Sequence, residues 1–150
     1  MAGTSMLVAR EVIAEPPVVW QAFEAIDRFP RVLTSVEKIE RTAGAGIEVG
    51  AAWLVTRRFF GRTEVHEMRV TAVEPGRSIA LESKFGDSSL TITYRVKPSS
   101  LGTRIEAEVE GETASGGRLG RLLAGGGGAA VKAARDMLEQ DIQDIASAFR

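Results

Sequence analysis

Residues 90–110, LTITYRVKPSSLGTRIEAEVE, carry the pattern on which the fold turns. Leu90, Ile92, Tyr94 and Val96 alternate with Thr91, Thr93, Arg95 and Lys97. Past the loop Pro98 to Gly102, Ile105, Ala107 and Val109 alternate with Arg104, Glu106, Glu108 and Glu110. A period of two with one apolar face and one wet face marks a half-buried strand. Two such strands joined by a short loop pair antiparallel. The inward set is therefore Leu90, Ile92, Tyr94, Val96, Ile105, Ala107 and Val109.

Upstream, the same reading continues through turn after turn. Ile79 to Phe85 alternates and ends at Gly86-Asp87, and Pro75-Gly76 separates it from Thr63 to Val73. Ala51 to Phe59 precedes Phe60-Gly61-Arg62, a hairpin signal, and Val36 to Arg41 leads into the glycines at 44, 46 and 50. Near the N-terminus, Met6 to Ala14 reads as a first strand stopped by Glu15-Pro16-Pro17. Proline is tolerated in a first helical turn, and Val18, Val19, Ala22, Phe23 and Ile26 recur at helical spacing. Asp27 can cap a second short helix running through Phe29-Pro30 to Leu33.

Downstream of Gly111 the period changes. Leu119, Leu122, Leu123, Val131, Ala134, Leu138, Ile142, Ile145 and Phe149 form one stripe at helical spacing. Asp136, Glu139, Asp141 and Asp144 are assigned to the wet face of this long helix. Gly125 to Gly128 interrupt it; each glycine costs about 1 kcal/mol relative to alanine, so a loop or kink is expected there. The chain is thus expected to be a single α+β domain over residues 1–150.

Composition narrows the function classes. A chain of 150 residues with 44% hydrophobic and 26% charged residues can bury a real core, which excludes disordered and collagen-like classes. The net charge of -1 offers no electrostatic reason for a nucleic-acid partner. With no cysteine, disulfide frameworks, thiolate zinc sites and cysteine nucleophiles are excluded. A single histidine leaves no ordinary transition-metal site, and no metal or cofactor is expected. The glycines at 44–50 lead into a strand rather than a helix, and the run at 125–128 lacks the Lys-Ser/Thr of a phosphate loop. Met1 to Met6 lacks the apolar core of a signal peptide and no window is long enough for stable membrane insertion, so a cytoplasmic monomer or homodimer is expected.

Strand, two short helices, six strands and a long helix, in that order, resemble the START and birch-pollen-allergen-like superfamily (SRPBCC), and within it the polyketide cyclase/dehydrase and lipid-transport group. The match is carried by Ala14-Glu15-Pro16-Pro17-Val18-Val19-Trp20, Phe29-Pro30-Arg31, Val49-Gly50, Val73-Glu74-Pro75-Gly76-Arg77 and Gly102-Thr103-Arg104-Ile105, and it spans essentially the whole chain. The chain departs from the pattern at Arg31-Val32-Leu33, where relatives often carry an aromatic and a second proline, and at the glycine run. The resemblance implies the helix-grip fold: a curved antiparallel sheet of about seven strands, with two short helices after the first, wrapped around the long C-terminal helix. It implies an internal cavity for a hydrophobic small molecule (a lipid, a quinone or a polyketide-like ligand). It also admits a cyclase, aromatase or dehydratase activity, or a regulatory or toxin-like partner protein.

In that fold the inner sheet face and the helix line the cavity. Candidate ligand contacts are Trp53, Val55, Arg57, Met68, Leu81, Ile92, Ile105 and Ala107 from the sheet and Leu123, Gly127 and Val131 from the helix. On the strand Thr63 to Val73 the better inner set is Glu64, His66, Met68 and Val70. The preceding strand presents either Trp53, Val55 and Arg57 or Leu54, Thr56 and Arg58, because a one-residue slip reverses every side chain. A two-residue turn at Phe60-Gly61 pairs Arg57 with Glu64 and Val55 with His66. Candidate catalytic residues are His66, Glu64 and Tyr94: the imidazole to move protons, the carboxylate beside it, and the phenol or an arginine to hold a carbonyl. The structural alternative is an ordinary arginine–Glu64 ion pair with His66 and Tyr94 as satisfied core residues. Trp20 and Trp53 also read as core.

Overall fold

A computed structural model describes residues 4–59, 62–85, 88–113 and 128–149, and their side chains except at 4–5, 29–30, 59, 62, 85, 88, 111–113 and 128–134. Strand β1 (Thr4–Val12) leads into α1 (Pro16–Glu24), a 3-10 turn (Ile26–Arg28) and α2 (Phe29–Val32). Six strands follow: β2 (Val36–Ala43), β3 (Ala52–Phe59), β4 (Arg62–Glu74), β5 (Ser78–Phe85), β6 (Ser88–Pro98) and β7 (Thr103–Thr113). The last element, α3, spans Gly128–Ser147. All strands join one antiparallel sheet in the order β1-β7-β6-β5-β4-β3-β2. The meander and the long helix match the expected architecture.

Alternation decides which face meets the helix. Leu90, Ile92, Tyr94, Val96, Ile105, Ala107 and Val109 are all buried, as their polar alternates require. The β3–β4 register is the one a two-residue turn demands, with Arg57 opposite Glu64 and Val55 opposite His66. Trp53, Val55 and Arg57 therefore point inward, while Leu54 and Arg58 are exposed. From the helix, Leu138, Ile142 and Ile145 fill the core, one side of a turn apart. Gly128 is the first residue of α3; the rest of the glycine run, with Leu119, Leu122 and Leu123, lies outside the described residues.

The opposite flank is sealed by α1, whose two leading prolines sit where a helix needs no N–H donor. On its buried face the rings pack at a tilt, Trp20 against Phe23 (centroids 6.1 Å apart) and Phe23 against Tyr94 (5.0 Å). Gly102, at φ +149, brings the β6–β7 loop against the end of β1, where a Cβ would stand 2.4 Å from the Ile13 carbonyl oxygen. Thr103 Oγ1 then donates to the Ala14 carbonyl at 2.7 Å, fixing the corner. Among the described residues no helix is long and apolar enough to cross a membrane.

Candidate functional site

The inner faces of β3, β4, β5 and β6 converge with the α2–β2 corner on one small cavity. Val55 and Arg57 come from β3, His66 and Met68 from β4, Leu81 and Ser83 from β5, and Ile92 and Tyr94 from β6. Leu33, Val36 and Ile39 close it from the corner and β2. Its volume is about 20 Å3, room for roughly one water molecule.

One pole of this apolar space is charged. Arg57 Nη2 donates to Asp141 Oδ2 of α3 at 3.0 Å, with the arginine side chain 10% and the aspartate 0% exposed. Ser35 Oγ donates to the other Asp141 oxygen at 2.7 Å. Arg57 Nε is buried and donates to no group among the described residues. One helical turn on, Asp144 Oδ2 accepts from the Thr34 backbone N–H at 2.9 Å and its hydroxyl at 3.0 Å. Asp141 and Asp144 together pin the second half of α3 to the corner after α2.

Electrostatics set the protonation states at this pole. Burial, seconded by the Arg57 charge, lowers the His66 pKa to about 4, so the imidazole is neutral at neutral pH. Burial and the Asp141 carboxylate raise the Tyr94 hydroxyl well above its usual value, against an opposing effect of Arg57. Burial also raises Asp141, opposed by Arg57 and Ser35.

Most of the expected sheet residues meet here: Val55, Arg57, His66, Met68, Leu81, Ile92 and Tyr94. Ile105 and Ala107 are buried in the core but do not line the cavity. Trp53 is fully buried and also lies off the cavity, its indole N–H donating to Asp27 at 2.8 Å. Glu64 is half-buried and not part of the lining. Arg57 and Glu64 stand opposite each other as the register requires, but the ion pair that was the structural alternative does not form: Arg57 reaches across to Asp141, and Arg58 pairs with Glu37 at the surface. A buried guanidinium takes the partner the helix brings into the core rather than a carboxylate with access to water. Asp141 is likewise corrected from the wet face of α3 to its buried face. Leu123 and Gly127 lie outside the described residues, as does the side chain of Val131. Among the described residues no group of three or more histidines and carboxylates is arranged to hold a metal ion.

A sheet curled round one helix, with a polar pole in an apolar interior, defines the helix-grip class. The family model for polyketide cyclase / dehydrase and lipid transport matches residues 4–150. The chain belongs to that family, within the START and birch-pollen-allergen-like superfamily. The crystal structure of major latex-like protein 151 from Panax ginseng is similar with a TM-score of 0.78 at 10% identity, covering 100% of this chain and 99% of that one. The Zhui aromatase/cyclase from Streptomyces sp. R1128 gives 0.75 at 14% identity, covering 98% and 92%. The di-domain ARO/CYC BexL from the BE-7585A biosynthetic pathway gives 0.76 at 13% identity, covering 99% of this chain and 50% of that one. At these identities the likeness is one of fold. No curated protein matches the sequence.

Proposed function

We propose that this protein binds a hydrophobic small molecule between the sheet and α3, with its polar end held at Arg57. The observation that carries the reading is the buried Arg57–Asp141 pair in a wall that is otherwise mostly apolar. Burying two charges costs several kcal/mol each before their attraction is counted, and apolar residues of similar size would serve packing as well. A donor left over at Arg57 Nε gives the pair a use. The described walls stand nearly closed, whereas ligand pockets run to about 300–1,000 Å3, so binding parts them. Met68 and Ile39, packed on the rim of the core and only partly buried, are the side chains to yield. Methionine is the more adaptable of the two.

The test is native mass spectrometry of protein purified from its own host, with Nile red titration of the stripped protein. A co-purifying apolar molecule, or Nile red fluorescence rising to saturation and more readily in Met68→Ala, supports the reading. Protein that co-purifies with nothing and leaves Nile red dark overturns it.

A second reading, cyclisation or dehydration of a poly-β-keto chain, is favoured by the convergence of His66, Tyr94 and Arg57 on one cavity. Arg57 would hold a carbonyl oxygen as negative charge develops, and neutral His66 would accept the proton. Turnover of such a chain that is lost in His66→Gln while binding persists is the expected mark of this chemistry.

A further inference from the structure

We infer that Asp141 is a specificity determinant: by cancelling the Arg57 charge inside the cavity wall, it fits the pocket to an uncharged ligand carrying a carbonyl or hydroxyl oxygen and turns carboxylates away. The inference rests on the binding reading above and names the class of molecule that reading leaves open.

The charges at the pole decide which ligand it can take. Arg57 brings one positive charge and Asp141 one negative, 3.0 Å apart, both shut away from water. The other polar groups of the lining are His66, Ser83 and Tyr94. The imidazole and the phenol are both uncharged at neutral pH, the first because burial and Arg57 disfavour its cation, the second because burial disfavours its anion. Asp144, the next acid along α3, is occupied by Thr34 and Gln140. The Asp144 carboxylate also acts on Asp141 through its charge, so no net positive charge is left at the pole.

A carboxylate placed against Arg57 would meet Asp141 at close range, and two carboxylates sharing one cation in a low-dielectric site repel strongly. It would also bring a full charge out of water with no uncancelled charge to receive it. A ketone or alcohol oxygen pays neither cost. It needs one donor, and Arg57 Nε is buried at the cavity with its hydrogen bond unused by the described residues. The aspartate, which is not itself part of the lining, is the group that sets the ligand's charge.

The test compares 2-decanone with decanoate, equal in chain length, in competition with Nile red on the full chain at neutral pH. Wild-type protein is expected to favour the ketone by about tenfold or more. Asp141→Asn keeps acceptor and donor atoms near Ser35 and Arg57 but removes the negative charge, and is expected to reverse the preference towards decanoate. A structural role for Asp141 would weaken both ligands alike rather than swap their order. The wild-type comparison needs no variant, so it is able to overturn the inference even where Asp141→Asn fails to fold. Wild type that binds Nile red yet takes decanoate as well as 2-decanone, or takes neither, overturns the inference and leaves the binding reading standing. Wild type that binds none of the three overturns the binding reading and this inference with it.

Discussion

Two aspartates in this molecule hold almost the same hydrogen bonds and are pushed in opposite directions. Asp27 accepts from the Arg41 guanidinium on one oxygen and from the Trp53 indole N–H on the other, at 2.9 and 2.8 Å. Asp141 accepts from Arg57 and Ser35 at 3.0 and 2.7 Å. Trp53 and Arg57 lie on the same face of β3, four residues apart. At Asp27 partial burial works to raise the pKa, but the bonds from Arg41 and Trp53 outweigh it and leave the carboxyl below its usual value. At Asp141 burial prevails and the value rises. The difference is water: the Arg41–Asp27 side chains are 25% and 54% exposed, against 10% and 0% for Arg57–Asp141. A guanidinium and one neutral donor stabilise a wet carboxylate and only partly compensate a dry one.

Removing one partner of the dry pair should have the largest effect. Arg57→Met leaves Asp141 in the core without its cation and should cost about 3–5 kcal/mol of unfolding free energy. The double variant Arg57→Met/Asp141→Leu removes both charges and should recover most of that loss. Urea unfolding of the two variants beside the wild type measures both quantities. A single variant that loses less than about 1 kcal/mol would mean that Asp141 is solvated after all, and the contrast between the two aspartates would collapse.

The histidine beside the dry pair sharpens the contrast through pH. Its pKa falls from 6.5 in the unfolded chain to about 4 in the fold. Between those values the unfolded chain binds more protons, so stability falls as the pH drops. The contribution is fully present above about pH 6.5 and has gone once the pH passes below about 4; it is worth up to roughly 3 kcal/mol. Asp141 works the other way, since a raised carboxyl favours the fold on protonation. Comparing wild type with His66→Gln across this window isolates the histidine: the wild type should lose stability faster on acidification. Parallel curves would place the imidazole in contact with water.

The sheet was largely legible because its wet face is so polar. Arg95, Lys97, Arg104, Glu106 and Glu108 leave Tyr94 and Ile105 no choice of side. β3 was ambiguous, since Trp53-Leu54-Val55-Thr56-Arg57-Arg58 offers apolar and charged residues to both faces, and only the turn at 60–61 fixes its parity. From that register Arg57, His66 and Tyr94 could be brought to one cavity, but Asp141 could not be assigned by its chemistry. An aspartate on an amphipathic helix belongs in water by default. Its spacing told otherwise, for Leu138, Asp141, Ile142 and Ile145 follow one another at three, one and three residues and share a face. Periodicity outranks side-chain type when the sheet opposite offers an arginine. The size of the cavity was not legible at all, because it depends on how tightly Leu33, Val36 and Met68 pack.

The smallest effect belongs to the wet pair, and it separates two of the attractions that act on one arginine, whose Nη1 also donates to the Gly46 carbonyl at 3.0 Å. Arg41 forms an exposed ion pair with Asp27 and also lies over the Trp53 ring, 4.7 Å from its centroid. An exposed pair is worth about 0–1 kcal/mol and is screened at high salt, where the Debye length shrinks to about 3 Å. A cation over an indole face adds about 0.5–1 kcal/mol at such a site. Arg41→Gln should therefore cost about 1 kcal/mol at low salt, with the part owed to Asp27 fading as salt is raised. In Asp27→Asn the indole keeps an acceptor and the arginine keeps its ring, so the further cost of Arg41→Gln should be nearly independent of salt. Thermal unfolding at low and high sodium chloride reads this directly. A loss that stays constant with salt in the Asp27 background would assign the arginine to the tryptophan, and Asp27 would then act through the indole alone.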